Sequence, residues 1–345
     1  MRRATTGILL GTVLLCGLAS AADDDGVMGV WHGRFTSKAW EDKELTAHII
    51  AEGMLEGAQH WRMILLFGDP HKPDARGEIA GSTKDKKPLT VPFEGEVNLG
   101  AAVKGTYRVS AAFANGAITG SFKGSQKAER KSGPIEFTLT RSMAQPRTRG
   151  QRPPESAVIL MDGSNLDAWE AYPLKWSMTD DGATQVSNSS LKTVQEFGSG
   201  TYHVEFCTPF MPNERGQARG NSGVYILGRY EVQVLDSFGL DPADNLCGGI
   251  YKMATPRVNA CLPPLVWQTY DITFKAPKFD EAGKKVEDAE ITVIHNGETI
   301  HDTVKLPTCT PGGVSDQEAP AGPLLLQNHG DRVSYRNIWF APAAG

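Results

Sequence analysis

The sequence predicts an all-β protein, and three observations carry that reading. Short stretches alternate polar and apolar residues along most of the chain. β-Branched and aromatic side chains fill those stretches, and Gly, Pro and Asn-Gly pairs punctuate them. No long segment repeats its apolar residues at helical spacing. The 345 residues carry a formal charge of −5 with no basic stripe, so no nucleic-acid partner is expected.

The first residues are expected to lie outside the fold. Arg2 and Arg3 precede an apolar run at 8–18, and Ala19-Ser20-Ala21 offers a small-residue cleavage pattern. Residues 1–21 therefore read as a secretory signal peptide cut near Ala21. Lipidation at Cys16 and a twin-arginine signal are weaker alternatives, because bulky Leu15 precedes the cysteine and the residues after the arginines fit poorly. The run falls short of the ~20 residues that span a bilayer, and no later segment reaches that length. A secreted or periplasmic protein, with no membrane contact after cleavage, is the expectation.

Removing the leader leaves Cys207, Cys247, Cys261 and Cys309. An even number in an oxidising compartment favours disulfides. Cys247 and Cys261 flank one helix-poor loop and are expected to pair, which leaves Cys207 for Cys309. No CxxC or Cys/His cluster points to structural zinc.

Residues 26–142 contain GVWHGRF, ELTAHIIAEG, HWRMILLFGD, VPFEGEVNL, GTYRVSAAF, AITGSFKG and IEFTLTR, with a two-residue hairpin signal at Asn115-Gly116. About eight short strands in succession predict a small barrel or sandwich. His32, His48, His60 and His71 have no metal-like spacing and read as surface or half-buried side chains. Residues 143–156, rich in Pro and Arg, read as a semi-extended, solvated linker. Residues 157–343 hold about twelve further strands and predict a two-sheet jelly roll.

Within that second region LMDGSNLDAW resembles the opening of the 3-keto-disaccharide hydrolases, a family of exported bacterial jelly-roll domains first catalogued without a function. The likeness continues through GNSGVYILGRYEVQVLDS, DNLCGGIYKM, WQTYDITFKAPKFD, ITVIHNG and PLLLQNHGDRVSYRNIWF. It covers essentially all of 157–340; Ala168 stands where the opening motif usually has Gly. The resemblance implies a concanavalin A-like sandwich acting on glycosides or disaccharides whose glucose ring carries a ketone at C3.

Such a ketone acidifies the C2 hydrogen, and the glycosidic oxygen on C1 can then leave by elimination, with water adding back. The site needs a base near C2, a cation or donor at the ketone oxygen, and a proton for the leaving group. In the strand RYEVQVLD, alternation places Arg229, Glu231 and Gln233 on one face and Tyr230, Val232 and Val234 on the other. The apolar trio is expected in the core and the polar trio on an open, concave surface. Arg229 is expected to hold Glu231 ionised and either orient it or polarise the ketone. Glu231 is the candidate base, or ligand of an electrophilic cation, and Gln233 a hydroxyl contact. An exposed structural ion pair is the bland alternative.

Other candidates lie nearby. Asn221 suits a turn cap or a hydroxyl contact, and Asp236 a loop ligand or turn former. Lys252 follows a glycine pair and could stabilise an enolate; His329 could move a proton, with Gln327 as a contact on the same strand face. Tyr225, Trp169, Trp176 and Trp267 could stack on sugar rings, although Trp267 reads better as core. His295 precedes Asn296-Gly297 and reads as a hairpin-tip residue. Asp162, Asn165 and Asp167 miss the calcium-loop spacing, so no metal site is assigned and a divalent cation stays optional. No phosphate loop, GxSxG or HExxH is present. The competing readings are a non-catalytic carbohydrate-binding module and a cell-surface adhesion protein.

Overall fold

The computed structural model describes residues 26–38, 40–84, 89–99, 105–124, 133–142, 145–170 and 176–343. The predicted signal peptide and Cys16 lie outside the described residues. Eight antiparallel strands close into a barrel: β1 (Gly29–Phe35), β2 (Glu44–Leu55), β3 (Ala58–Phe67), β4 (Ala75–Thr83), β5 (Val91–Asn98), β6 (Thr106–Ala114), β7 (Ala117–Gly124) and β8 (Ile135–Arg141). β1 pairs with β8 from Trp31↔Arg141 to Phe35↔Phe137, which closes the ring and leaves no open edge. The Asn115-Gly116 turn forms as the sequence predicts, with φ of 52° and 75° and Ala114 facing Ala117.

Alternation fills the barrel. Trp31, Phe35, Leu45, Ile49, Trp61, Met63, Phe93, Phe122 and Phe137 pack inside. β2 and β3 are apolar on both faces, which a half-solvated strand would not need. Their outward Ile50, Ile64 and Leu66 join the core of the second region, so the barrel is built onto the sandwich through these two strands.

The second region begins with β9 (Val158–Met161), β10 (Thr184–Gln185), β11 (Leu191–Phe197), β12 (Gly200–Cys207), β13 (Ser222–Ile226), β14 (Tyr230–Val234) and β15 (Gln268–Lys275). It continues with a small ribbon of β16 (Lys278–Phe279) and β17 (Lys285–Glu287), then β18 (Ala289–His295), β19 (Glu298–Leu306), β20 (Gly322–Leu326) and β21 (Ser334–Pro342). One sheet runs β10-β21-β12-β15-β18-β19 with β9 on β21; the other runs β11-β20-β13-β14. This is the predicted jelly-roll architecture. Tyr202, Val204, Phe206, Tyr270, Ile272 and Phe340 of the long sheet meet Val224, Ile226, Tyr230, Val232, Val234 and Leu326 of the short one. The tryptophans are buried too: Trp169 and Trp176 join this core, and Trp267, as expected, packs inside, in a small cluster with Ala183 and Cys207 under the Arg336 guanidinium.

Four expectations change. Residues 145–156 are pinned to the outer face of the long sheet and do not hang as a solvated tether. The Gly150 N–H donates to Glu205, Asn337 Nδ2 donates to the Gln151 carbonyl at 3.2 Å, and Thr148 meets Thr269. Beneath them His203 bonds Asp271 at 2.7 Å and Arg336 bonds Glu205 at 2.8 Å. Burial alone would raise the Glu205 pKa, but hydrogen bonds from His203, Asn337, Gly150 and Arg336 hold it down to about 2.

His295 is no tip residue: its ring is fully buried against Phe206 and Tyr270, with Nε2 against Gln268 Oε1 at 3.1 Å. Cys247 and Cys261 are neighbours, as expected, but as two hydrogen-bonded thiols and not as a disulfide. Cys207 packs with Ala183 and Trp267 while Cys309 lies near Glu318 and Arg229, so that pairing is not formed.

Candidate active site

The hairpin of β13 and β14 turns at Leu227 and Gly228, both at positive φ. Its register sets Gly223 opposite Gln233 and Tyr225 opposite Glu231. β20 lies on the other side of β13, with Leu325 beside Tyr225 and the Gln327 N–H on the Gly223 carbonyl at 2.9 Å. Period-two alternation therefore sends Tyr225, Glu231, Gln233 and Gln327 to the face away from the core. For Glu231 and Gln233 this is the face that alternation along the sequence assigns.

The face is not open. Glu231 and Gln233 are each 2% exposed, Asn221 and Tyr225 1%. The loops at 216–221, 310–312 and 327–331 fold over them. Tyr225 Oη lies 2.7 Å from Glu231 Oε2 and 3.0 Å from the Pro311 carbonyl, and Gln327 Nε2 donates to it at 3.2 Å. Gln233 Nε2 donates to Gln217 Oε1 at 3.0 Å. Asn221 Nδ2 donates to the Gln217 carbonyl at 2.8 Å, and the Asn221 N–H to Asp331 Oδ2 at 2.7 Å. Thr310 Oγ1 accepts from the Glu231 N–H at 2.8 Å. Gly223 makes room for the carboxylate, since a Cβ there would stand 2.2 Å from Glu231 Oε1.

Arg229 does not pair with Glu231. It precedes the first residue of β14, so its side chain leaves along the turn, where Nε donates to the Gln317 carbonyl at 2.7 Å and Nη1 to the Leu227 carbonyl at 2.8 Å. The electrostatics reverse accordingly. Burial pushes the Glu231 pKa up to about 7, and the Tyr225 hydrogen bond opposes this only in part. Tyr225 is pushed upward too, by burial first and then by the Glu231 charge. The single Tyr225 proton cannot serve both acceptors. It points to Glu231 when that group is ionised; when Glu231 is protonated, the acid donates to the tyrosine oxygen and the hydroxyl turns to Pro311.

Three acceptors in this network are unfilled. Asn221 Oδ1, Gln233 Oε1 and Gln327 Oε1 are buried and have no hydrogen-bond partner among the described residues. Buried amide oxygens without donors are uncommon, and three in one network mark a place built for hydroxyls or water. The surroundings of Glu231 are thus polar, although enclosed.

The remaining candidates separate. Asp236 is engaged by Arg219 at 2.7 Å, both buried, and so is a structural group and not a ligand contact. Lys252 and His329 are exposed on rim loops, and neither touches Glu231. Lys252 Nζ lies over the Tyr251 ring, 5.4 Å from its centroid. Their loops are nonetheless tied to the site: Tyr251 N–H bonds the Glu231 carbonyl at 3.2 Å, and Asp331 follows His329 by two residues. Asp162 and Asn165 accept hydrogen bonds from their own turn, and no metal-holding group of His, Cys, Asp or Glu occurs among the described residues. A separate cleft of about 270 Å³, lined by His71, Arg147, His295 and Glu298 among others, contains none of the network. Burial lowers the pKa of its His295 to about 3, which leaves that ring neutral at working pH.

Sequence reasoning missed Gln217, Thr310, Pro311 and Asp331. Gln217 lies in a single 3-10 turn at Gly216–Ala218 and the other three in loops, so no periodicity announces them.

Every member of the network lies within residues 156–341, which match the family described as the 3-keto-alpha-glucoside-1,2-lyase-like domain. The match takes in more than half of the 345 residues. The chain belongs to that family. Among solved structures, a “putative glycosyl hydrolase” from Parabacteroides distasonis is 35% identical, covers 55% of this chain and 85% of its own, and superposes with a TM-score of 0.51. Two more of the same description and organism are 22% and 16% identical. They cover 54% and 55% of this chain, 99% and 95% of their own, with TM-scores of 0.40 and 0.42. Among curated proteins none matches. The lyase-like domain holds the whole candidate site; the barrel is an addition outside it.

Proposed function

We propose that this protein is an exported enzyme that cleaves 3-keto-glycosides or 3-keto-disaccharides by elimination and rehydration. Glu231 is the base: it takes the C2 proton, the electron pair forms the enolate of the C3 ketone, and the C1–O bond then breaks. Tyr225 Oη donates to Glu231 or to developing charge, according to where the proton resides. The unfilled oxygens of Asn221, Gln233 and Gln327 accept from the sugar hydroxyls. Lys252 is assigned to the enolate and His329 to protonation of the leaving oxygen. Substrate enters when the covering loops part. Water then adds to the unsaturated product.

One observation carries this reading: a single buried carboxyl whose pKa is raised to about 7, with no cation beside it. A base of that pKa suits proton abstraction near neutrality. Ordinary glycosidases instead need two carboxyls flanking the scissile bond. The other acid of this network, Asp331, is engaged by the Asn221 N–H. Export rests on the leader at 1–21.

Purified protein should cleave a 3-keto-disaccharide and leave its unoxidised parent intact. Cleavage of neither, or of the parent alone, rejects the proposal. The unfilled amide oxygens also suit a binding module without turnover. Glu231→Gln separates the two readings, since an enzyme loses turnover and keeps binding, whereas a module has no turnover to lose.

A further inference from the structure

The covering loop at 212–221 supplies Gln217 and Asn221 to the site. Its own sandwich holds it through Gln217 Nε2 on the Asn245 carbonyl at 2.7 Å and the Asn221 N–H on Asp331 at 2.7 Å. The barrel holds it as well, through residues 213–219. β2 and β3 are in register up to Ala51↔Trp61 and resume at Gly53↔His60, so a β-bulge falls at Glu52. A bulge turns backbone groups out of the ladder. The two carbonyls at this one accept from the loop: Arg219 Nη1 donates to the Ala51 carbonyl at 3.3 Å, and Arg215 Nη2 to the Glu52 carbonyl at 2.8 Å. Arg215 Nη2 also meets Glu52 Oε2 at 2.6 Å, and Arg62 fixes that carboxylate from the other side at 2.9 Å. One step along, the Met54 N–H donates to Asn213 Oδ1 at 3.2 Å. The approach is so close that a Cβ on Gly53 would lie 2.0 Å from Asn213 Oδ1. Arg219 in turn carries the buried Asp236 at the end of the catalytic hairpin.

We infer that the N-terminal barrel is a positioning domain for the active site, in which the Glu52 bulge holds the 212–221 loop so that Gln217 and Asn221 stay in register with Gln233. Arg215 is the positioning residue. It touches no residue of the catalytic network; Gln217, two residues on, receives Gln233 and Asn221. The inference rests on the reading of this site as the active one, and it gives the barrel a role that the lyase-like domain by itself does not contain.

The test uses the full chain with Arg215→Ala, Arg215→Lys and, as control, Arg76→Ala. Arg76 makes another barrel-to-sandwich ion pair, to Asp241 at 2.6 Å, but on a different loop. Two readouts are taken: hydrogen exchange of amides 216–222, and kcat and KM on a 3-keto-disaccharide. For Arg215→Ala, exchange should quicken and kcat/KM fall by about tenfold each, chiefly through KM, since small misplacements of binding groups are amplified in rate. Arg215→Lys should recover part of both, and Arg76→Ala should change neither by more than about twofold. Unchanged exchange in Arg215→Ala, or equal losses in Arg76→Ala, overturns the inference. A wild-type protein without turnover in which the exchange pattern still appears would sink the catalytic reading alone.

Discussion

Replacing Glu231 by Gln should make the protein more stable at alkaline pH, by an amount that grows with pH. The carboxyl is 2% exposed and its pKa rises from 4.5 to about 7 on folding. A raised folded-state pKa means that the folded protein binds the proton more tightly than the unfolded chain. The stabilising contribution is therefore complete below pH 4.5 and disappears as the pH rises through 7. A shift of that size corresponds to about 3 kcal/mol at pH 8, the cost of keeping an ionised carboxylate away from water, and to about 1 kcal/mol at pH 5. Glutamine has nearly the same shape and no charge, so it escapes this penalty at every pH.

Urea unfolding of wild type and Glu231→Gln at pH 5, 6, 7 and 8 measures it. The difference in unfolding free energy should widen by about 2 kcal/mol in favour of the variant from pH 5 to pH 8. Any pH-independent effect of the amide cancels in that comparison. Under the proposed mechanism the same titration sets the active fraction of base, so wild-type kcat/KM should rise about tenfold between pH 6 and pH 8 as Glu231 ionises. Parallel stability curves for the two proteins would refute the burial argument, whatever the activity data show.

Three further outcomes follow from the same geometry. Gly223→Ala should fold with a loss of about 1–3 kcal/mol by thermal unfolding, because the new Cβ displaces the Glu231 carboxylate, and turnover should fall much further than stability. Tyr225→Phe removes a hydrogen bond that lowers the Glu231 pKa, so the acidic limb of the kcat/KM profile should move to higher pH; an unmoved limb would mean that Glu231 is not the titrating base. Arg219→Ala strands the Asp236 carboxylate in the interior and should lower unfolding free energy by about 3–5 kcal/mol, read by urea titration.

The fold was legible because strands advertise themselves. Alternation in GVWHGRF and IEFTLTR, and Asn-Gly pairs at 115–116 and 296–297, are local signals whose meaning does not depend on distant residues. The same holds for the face on which Tyr225, Glu231, Gln233 and Gln327 lie. What alternation does not reveal is what covers that face. Arg229 and Glu231 share parity, but parity holds only inside a strand, and Arg229 sits one residue before β14 begins. The ion pair expected from the sequence thus gave way to a tyrosine, and an acid expected to be held ionised became one raised toward neutrality.

Asp236 and the 143–156 segment misled for the same reason. A carboxylate after a strand and a Pro/Arg-rich stretch both look solvated when their partners are remote in sequence. Asp236 finds Arg219 across the mouth of its own hairpin, and Gly150 finds Glu205 on the outer sheet. β2 and β3 offered the one local hint of such long-range burial. Strands of a small barrel with a wet exterior need one apolar face, and IILLF-type content on two faces requires a second apolar neighbour. Ile50, Ile64 and Leu66 have that neighbour in the sandwich core, and the bulge at Glu52 lies at the edge of the same contact. The two regions therefore bury a common surface next to the site, and the inferred route from the barrel to Gln217 runs through bonds between side chains and backbone, made by Arg215, Arg219 and Asn213, that no sequence pattern encodes.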